Sequence, residues 1–289
     1  MNYTEIPVVF DVAGEYALGL LAEPEMPCDR GVLIVVGGPQ YRAGSHRQFV
    51  LLARRLAAQG YSVFRFDCRG MGDSGGAMRS FEAFSEDIGA AIDVFFSRCP
   101  SLRRCALWGL CDAASAILMY LQSKKDPRVD GVVLLNPWVR SEASLAQTQV
   151  KHYYGQRLRQ REFWVRLITG KMHVMASLSG FLRSLRTVAR RPAESAGNGG
   201  TFRERMAVGW KKFRGDVLLI LSGRDYTAKE FLEYANVDPA WSGLLADGKV
   251  GRLDLVEADH TFSNATWREA VEDGTLRWLA DGRATGDKR

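Results

Sequence analysis

RRCALWGLCDAASAILMYLQ, residues 103–122, runs from an apolar stretch into a helical one with one tight turn between them. Residues 103–108 read as a buried strand and 112–122 as a helix. Between them, Gly109-Leu110-Cys111-Asp112-Ala113 has the small-x-nucleophile-x-small spacing of a nucleophile elbow. Small residues there let the chain turn so sharply that the middle side chain stands exposed at the strand end. Cys111 holds that middle place, and a helix N-terminus or an adjacent imidazole would favour its thiolate. Taken alone, the pattern is equally compatible with a small buried residue at a strand-to-helix junction. The surrounding sequence must decide.

Outward from the elbow the same rhythm repeats. Residues 31–36 (GVLIVV) form a continuous apolar run, as expected of a strand covered on both faces of a parallel sheet. A helix over 45–59, a strand over 62–66 and a helix over 81–97 follow, and 131–135 gives the strand after the elbow helix. Strands at 217–221 and 253–256 each lead through a loop into a helical stretch, the last being 265–279. Residues 6–12 and 16–22 read as an opening hairpin. This alternation predicts an α/β fold, a doubly wound and mostly parallel sheet. The rhythm breaks over 138–214, read as a helical cap insertion, so the expected organisation is core 1–137, cap 138–214 and core 215–289. A chain of 289 residues suits one large domain with such an insertion.

The neighbours favour chemistry at Cys111. Of four histidines, His46, His152, His173 and His260, only His260 follows the last predicted strand and precedes the final helix, where a base belongs in this arrangement. Asp225 lies just beyond strand 217–221 and is the candidate to orient His260. Asp259, beside the histidine in sequence, is the weaker candidate. Nucleophile, acid and base then come in the order Cys111, Asp225, His260, each at a strand's C-terminal end. An oxyanion hole needs two N–H donors. Asp112 would supply one from its backbone. The other should come from Gly37-Gly38-Pro39-Gln40, where Pro39 has no N–H, so the expectation falls on Gln40, through its backbone or its side-chain amide.

With these residues in hand, the chain resembles the α/β-hydrolase superfamily, and more narrowly the exosortase A system-associated hydrolase 1 family. The resemblance rests on GGPQYRAGSHRQF (37–49), FDCRGMGDSGG (66–76), WGLCDAAS (108–115), NPWVR (136–140), KHYYGQRL (151–158) and ADHTFS (258–263). It implies an α/β-hydrolase fold and a bacterial setting that pairs exopolysaccharide production with protein sorting. It also implies that the 66–76 loop organises the sheet edge and takes no part in catalysis. Three departures stand out: cysteine where serine is usual, Ala113 for the second elbow glycine, and Gly37 where histidine often precedes the oxyanion glycine. The superfamily uses Cys-Asp-His in dienelactone hydrolases and in polyhydroxyalkanoate synthases, which leaves hydrolysis and acyl transfer both open. The expected activity is ester or thioester hydrolysis through an acyl-enzyme. Acyl transfer to a saccharide or amine, and a non-catalytic scaffold for polysaccharide assembly, are the alternatives.

Composition bounds the rest. A hydrophobic fraction of 46% and a charged fraction of 25% are those of a globular protein. The N-terminus lacks the features of a secretory signal, and no apolar run reaches the roughly 18 residues of a spanning helix. Five cysteines without paired spacing argue against a disulfide framework or a zinc knuckle. The expectation is a cytoplasmic protein with no metal and no cofactor. Net charge is +6, yet residues 140–214 hold 16 Lys and Arg against 4 Asp and Glu, a net +12. This segment could steer an anionic or carrier-linked acyl substrate, or touch acidic lipid at the inner membrane. Tyr153, Phe163 and Trp164 are the expected substrate contacts in it. Nucleic acid is not expected, as no reader motif accompanies the charge.

Overall fold

A computed structural model describes residues 1–38, 40–140 and 200–286. Strands β1 (Tyr3–Val12) and β2 (Glu15–Pro24) form the opening antiparallel hairpin. Ala13 and Gly14, at φ 53° and 85°, make its two-residue turn, a backbone hand that suits twisted strands. The remaining strands are β3 (Arg30–Val35), β4 (Val63–Phe66), β5 (Arg104–Leu110), β6 (Val129–Leu135), β7 (Asp216–Ser222) and β8 (Val250–Leu255). They join one eight-stranded sheet in the order β1-β2-β4-β3-β5-β6-β7-β8. β2 runs antiparallel to β4, and from β4 through β8 every pairing is parallel.

The helices among the described residues are α1 (Gln48–Ala58), α2 (Ser85–Arg98), α3 (Asp112–Ser123), α4 (Phe202–Lys212), α5 (Tyr226–Val237) and α6 (Ala265–Gly286). α1 packs with α6, while α2 and α4 pack with α3, so both faces of the sheet are covered. Val32, Leu33, Ile34 and Val35 are wholly buried, which accounts for the unbroken apolar run of β3. β8 is an edge strand with Arg252 and Asp254 exposed. It starts three residues before the apolar 253–256 run and ends one residue before that run's end, because an edge strand needs only alternating apolar residues. After β3 the chain turns to β4 on one side and later to β5 on the other. That reversal creates a crevice at the strands' carboxyl ends, where open α/β sheets place their ligands.

Contacts divide the chain into one unit of Met1–Trp138 with Phe202–Arg289 and a second of Val139–Thr201. The expected cap boundary at 214 therefore moves. α4 belongs to the first unit, crossing α3 so closely that a Cβ on Gly209 would stand 1.8 Å from the Leu118 carbonyl oxygen. Trp210 also packs edge-on against Trp241, with ring centroids 5.6 Å apart. Charge composition grouped this helix with the basic insertion, whereas its Gly209-Trp210 face assigns it to the core. No helix among the described residues is long and apolar enough to cross a membrane.

Candidate active site

Cys111 sits at the junction of β5 and α3 with φ 63° and ψ −122°, a backbone strain that only a tightly determined turn sustains. The packing behind it explains the small residues. A Cβ on Gly109 would stand 2.7 Å from Ile117 Cδ1 and 2.9 Å from the Ala113 carbonyl carbon. A Cβ on Gly37, after β3, would stand 2.9 Å from Ala113 Cβ. The backbone of Cys111 is fixed on both sides: its N–H donates to Leu135 O at 2.8 Å, and its carbonyl accepts from Trp138 N–H at 3.2 Å.

Asp225 caps the N-terminus of α5, its carboxylate accepting from the N–H groups of Thr227 (3.0 Å) and Ala228 (3.2 Å). The same carboxylate meets His260 Nδ1 at 2.7 Å. These bonds fix its rotamer. Burial opposes its ionisation, but the hydrogen bond and charge of His260 and the two amides prevail and hold it below the ordinary aspartate range. His260, on the loop after β8, hydrogen-bonds through Nδ1 to Asp225 at 2.7 Å and lies close enough to Cys111 for the two to interact. Burial pulls its pKa down, yet these two partners overcome that and push it up to about 10. With Nδ1 held by Asp225, the other ring nitrogen serves the thiol. The structure thus brings Cys111, His260 and Asp225 to one place, with His260 hydrogen-bonded to Asp225.

The other residues sort plainly. Asp259 accepts from Thr261 N–H (3.1 Å) and Ser263 N–H (3.0 Å), so it shapes the histidine loop and does not orient the ring. Cys68, Cys99 and Cys105 are buried, and burial raises each thiol above its ordinary value. In the 66–76 loop, Asp67 accepts from Arg42 N–H at 2.6 Å and Asp73 N–H at 3.2 Å, bracing the 37–44 loop. Tyr153, Phe163 and Trp164 lie outside the described residues. No group of three or more His, Cys, Asp or Glu side chains poised to hold a metal occurs among the described residues.

The oxyanion expectation needs correction. Gln40 N–H donates to Gly38 O at 2.8 Å, so this amide is already engaged. Its side-chain Oε1 is buried without a partner among the described residues, while the donor of that amide is Nε2, so the side-chain alternative stays open. The Gly38 N–H donates to Asp112 Oδ2 at 2.7 Å. Burial, the largest influence on the Asp112 carboxyl, leaves its pKa raised against the opposing Gly38 N–H. An N–H at the end of β3 therefore meets a carboxyl at the head of α3. Gly37 makes room for it, since a Cβ there would lie 2.1 Å from Asp112 Oδ1. Sequence reasoning used only the Asp112 backbone and missed its side chain. The signal was an acidic residue directly after the nucleophile, opposite two glycines.

Comparison with known proteins agrees with this architecture. A family described as serine aminopeptidase, S33, matches residues 28–188, more than half of the chain, including Cys111 and stopping short of Asp225 and His260. The Pyrococcus furiosus esterase Pf2001 has the same fold at 15% identity and a TM-score of 0.59, over 96% of this chain and 92% of that one. Est1E from Butyrivibrio proteoclasticus, solved with ferulic acid bound, superposes at 14% identity and a TM-score of 0.59, over 94% and 99%. No curated protein is close enough in sequence to count as a match. The fold is that of the α/β hydrolases.

Proposed function

This chain belongs to the family described as serine aminopeptidase, S33, and from that premise we propose that it hydrolyses ester or thioester bonds through an acyl group carried on Cys111. The family description names a serine, and in this reading Cys111 takes that role. The observation that carries the reading is the 2.7 Å hydrogen bond between His260 and Asp225, with His260 close to Cys111 and Cys111 held in a strained turn at the head of a helix. The sulfur of Cys111 attacks the carbonyl carbon with its proton already held on His260, which passes it to the leaving alcohol or thiol as that bond breaks. The freed imidazole then deprotonates water, which attacks the thioester, and the released acid leaves the Cys111 sulfur with its proton again on His260. Ionised Asp225 stabilises the imidazolium. The Asp112 N–H supports the oxyanion.

The motifs GGPQYR, GLCDAAS and KHYY support a place within the exosortase A system-associated hydrolase 1 group, hence a role beside exopolysaccharide production. The basic segment 140–214 favours an anionic or carrier-linked acyl substrate, with Tyr153, Phe163 and Trp164 as contacts, and peripheral association with the inner membrane. The test is a panel of p-nitrophenyl esters and acyl thioesters, with mass spectrometry of the Cys111 peptide. An acyl adduct on Cys111, and a loss of about a thousandfold or more in kcat for Cys111→Ala, are expected. Full turnover by Cys111→Ala overturns the covalent mechanism. Products acylated on an added alcohol or amine, in place of free acid, would make the protein an acyltransferase.

A further inference from the structure

Asn136 directly follows β6 and opens the NPWVR stretch. It is wholly buried and has φ 43°, a left-handed conformation that asparagine tolerates far better than most residues. Its side chain makes three hydrogen bonds. Oδ1 accepts from Ser222 N–H at 2.9 Å, and Nδ2 donates to Ser222 Oγ at 2.8 Å and to the His260 carbonyl oxygen at 3.2 Å. An acceptor facing an amide and a donor facing a carbonyl fix which end of the amide is which. Ser222 closes β7, three residues before Asp225, and His260 is the base itself. The backbone beside Asn136 holds the nucleophile: Leu135 O accepts from Cys111 N–H at 2.8 Å, and Trp138 N–H donates to Cys111 O at 3.2 Å. The four residues 135–138 therefore touch the backbone of Cys111, the strand end that leads to Asp225, and the backbone of His260.

We propose that Asn136 is a positioning residue that keeps the acid-bearing and base-bearing loops in register with Cys111. The proposal rests on the triad reading above. Chemistry narrows the residue type. Aspartate offers no donor when ionised, glutamine is one methylene too long, and an aliphatic residue would leave Ser222 and His260 without their partner. His260 must meet Asp225 on one side and Cys111 on the other, so a shift of its carbonyl misaligns both contacts. Misplacement of about 1 Å at a reacting group costs roughly a hundredfold in rate.

The experiment uses the full chain with Asn136→Asp and Asn136→Gly. It reads p-nitrophenyl acetate turnover and the rate of iodoacetamide alkylation at Cys111 by peptide mass spectrometry, both from about pH 3 to about pH 11, and urea unfolding. Asn136→Asp keeps shape and the acceptor for Ser222 N–H but loses both donors. It should fold, lose about tenfold to a hundredfold in kcat with KM little changed, and change the pH profile of alkylation. Partial recovery is expected below about pH 5, where a protonated carboxyl regains a donor. Asn136→Gly keeps the left-handed turn and deletes the side chain, so it should lose rate without recovery in acid. A folded Asn136→Asp with wild-type kcat and alkylation profile overturns the proposal, even if Asn136→Gly fails to fold. Cys111→Ala, run alongside, separates the two readings: its full turnover would remove the triad itself, whereas its inactivity beside unaffected Asn136 variants would remove only the role of Asn136.

Discussion

Asp112 presents an unusual conflict: its backbone is suited to stabilise a developing oxyanion, and its carboxylate already takes the Gly38 N–H. A negative charge there opposes a second one, and it occupies the Gly38 N–H. Asp112→Ala leaves the residue-112 amide in place and frees that donor, so kcat for p-nitrophenyl acetate should rise by about fivefold or more, given that a single oxyanion donor is worth about a hundredfold or more. A fall in kcat would instead make the carboxyl a working part of the site. Stability gives a second measurement. Because the folded pKa of Asp112 is raised above 3.8, its favourable contribution belongs to the protonated form and fades as pH rises through the folded value. Asp112→Asn should therefore raise Tm at neutral pH and lose that advantage below about pH 3.8.

At the scale of elements, the triad depends on how three strand ends are finished. β5 ends in the elbow, β7 in a helix whose N-cap is Asp225, and β8 in a loop shaped by Asp259. Since Asp225 is an N-cap, Asp225→Asn removes charge with little harm to α5, as asparagine caps nearly as well. Activity should fall by about a thousandfold or more, as the imidazolium loses its counter-charge and its orientation. The pH dependence has a definite sign. His260 rises from 6.5 to about 10 on folding, so its stabilising contribution is fully present below about 6.5 and is lost as pH rises through about 10. Asp225 is lowered, so its contribution is present above its unfolded value near 3.8 and is lost as pH falls through the folded one. The stability difference between wild type and Asp225→Asn, followed by urea unfolding, should be widest between these limits and shrink on either side. A difference that stays constant from pH 3 to pH 11 would deny the ionic coupling.

Across the whole molecule charge is strongly segregated: residues 140–214 carry +12 in a chain whose total is +6. Steering of an anionic acyl substrate by this segment would be long-ranged and sensitive to salt. Replacing Arg157, Arg159, Arg161 and Arg166 with glutamine should raise KM for an anionic ester by about tenfold at low ionic strength, with less effect at high salt. Turnover of a neutral p-nitrophenyl ester should be spared. Equal losses on both substrates would point to damage in the insertion and away from charge recognition.

The sequence by itself determined the alternation of strands and helices, the elbow at Cys111, and the strand-end positions of Asp225 and His260. These are local properties. A strand buried on both faces must be apolar throughout, a sharp turn must be made of small residues, and both demands are written within a few neighbouring positions. The tertiary structure decided what depends on atoms distant along the chain. The Gly209-Trp210 face of α4 joins α3 despite its basic flanks, the Asp112 carboxylate reaches Gly38 across 74 residues, and Asn136 reaches the His260 carbonyl across 124. Even the Gln40 amide, two residues from its acceptor, was settled by a turn that composition does not specify. A hydrogen bond requires a direction as well as a residue type, and direction is fixed only when the sheet brings separate loops to one edge.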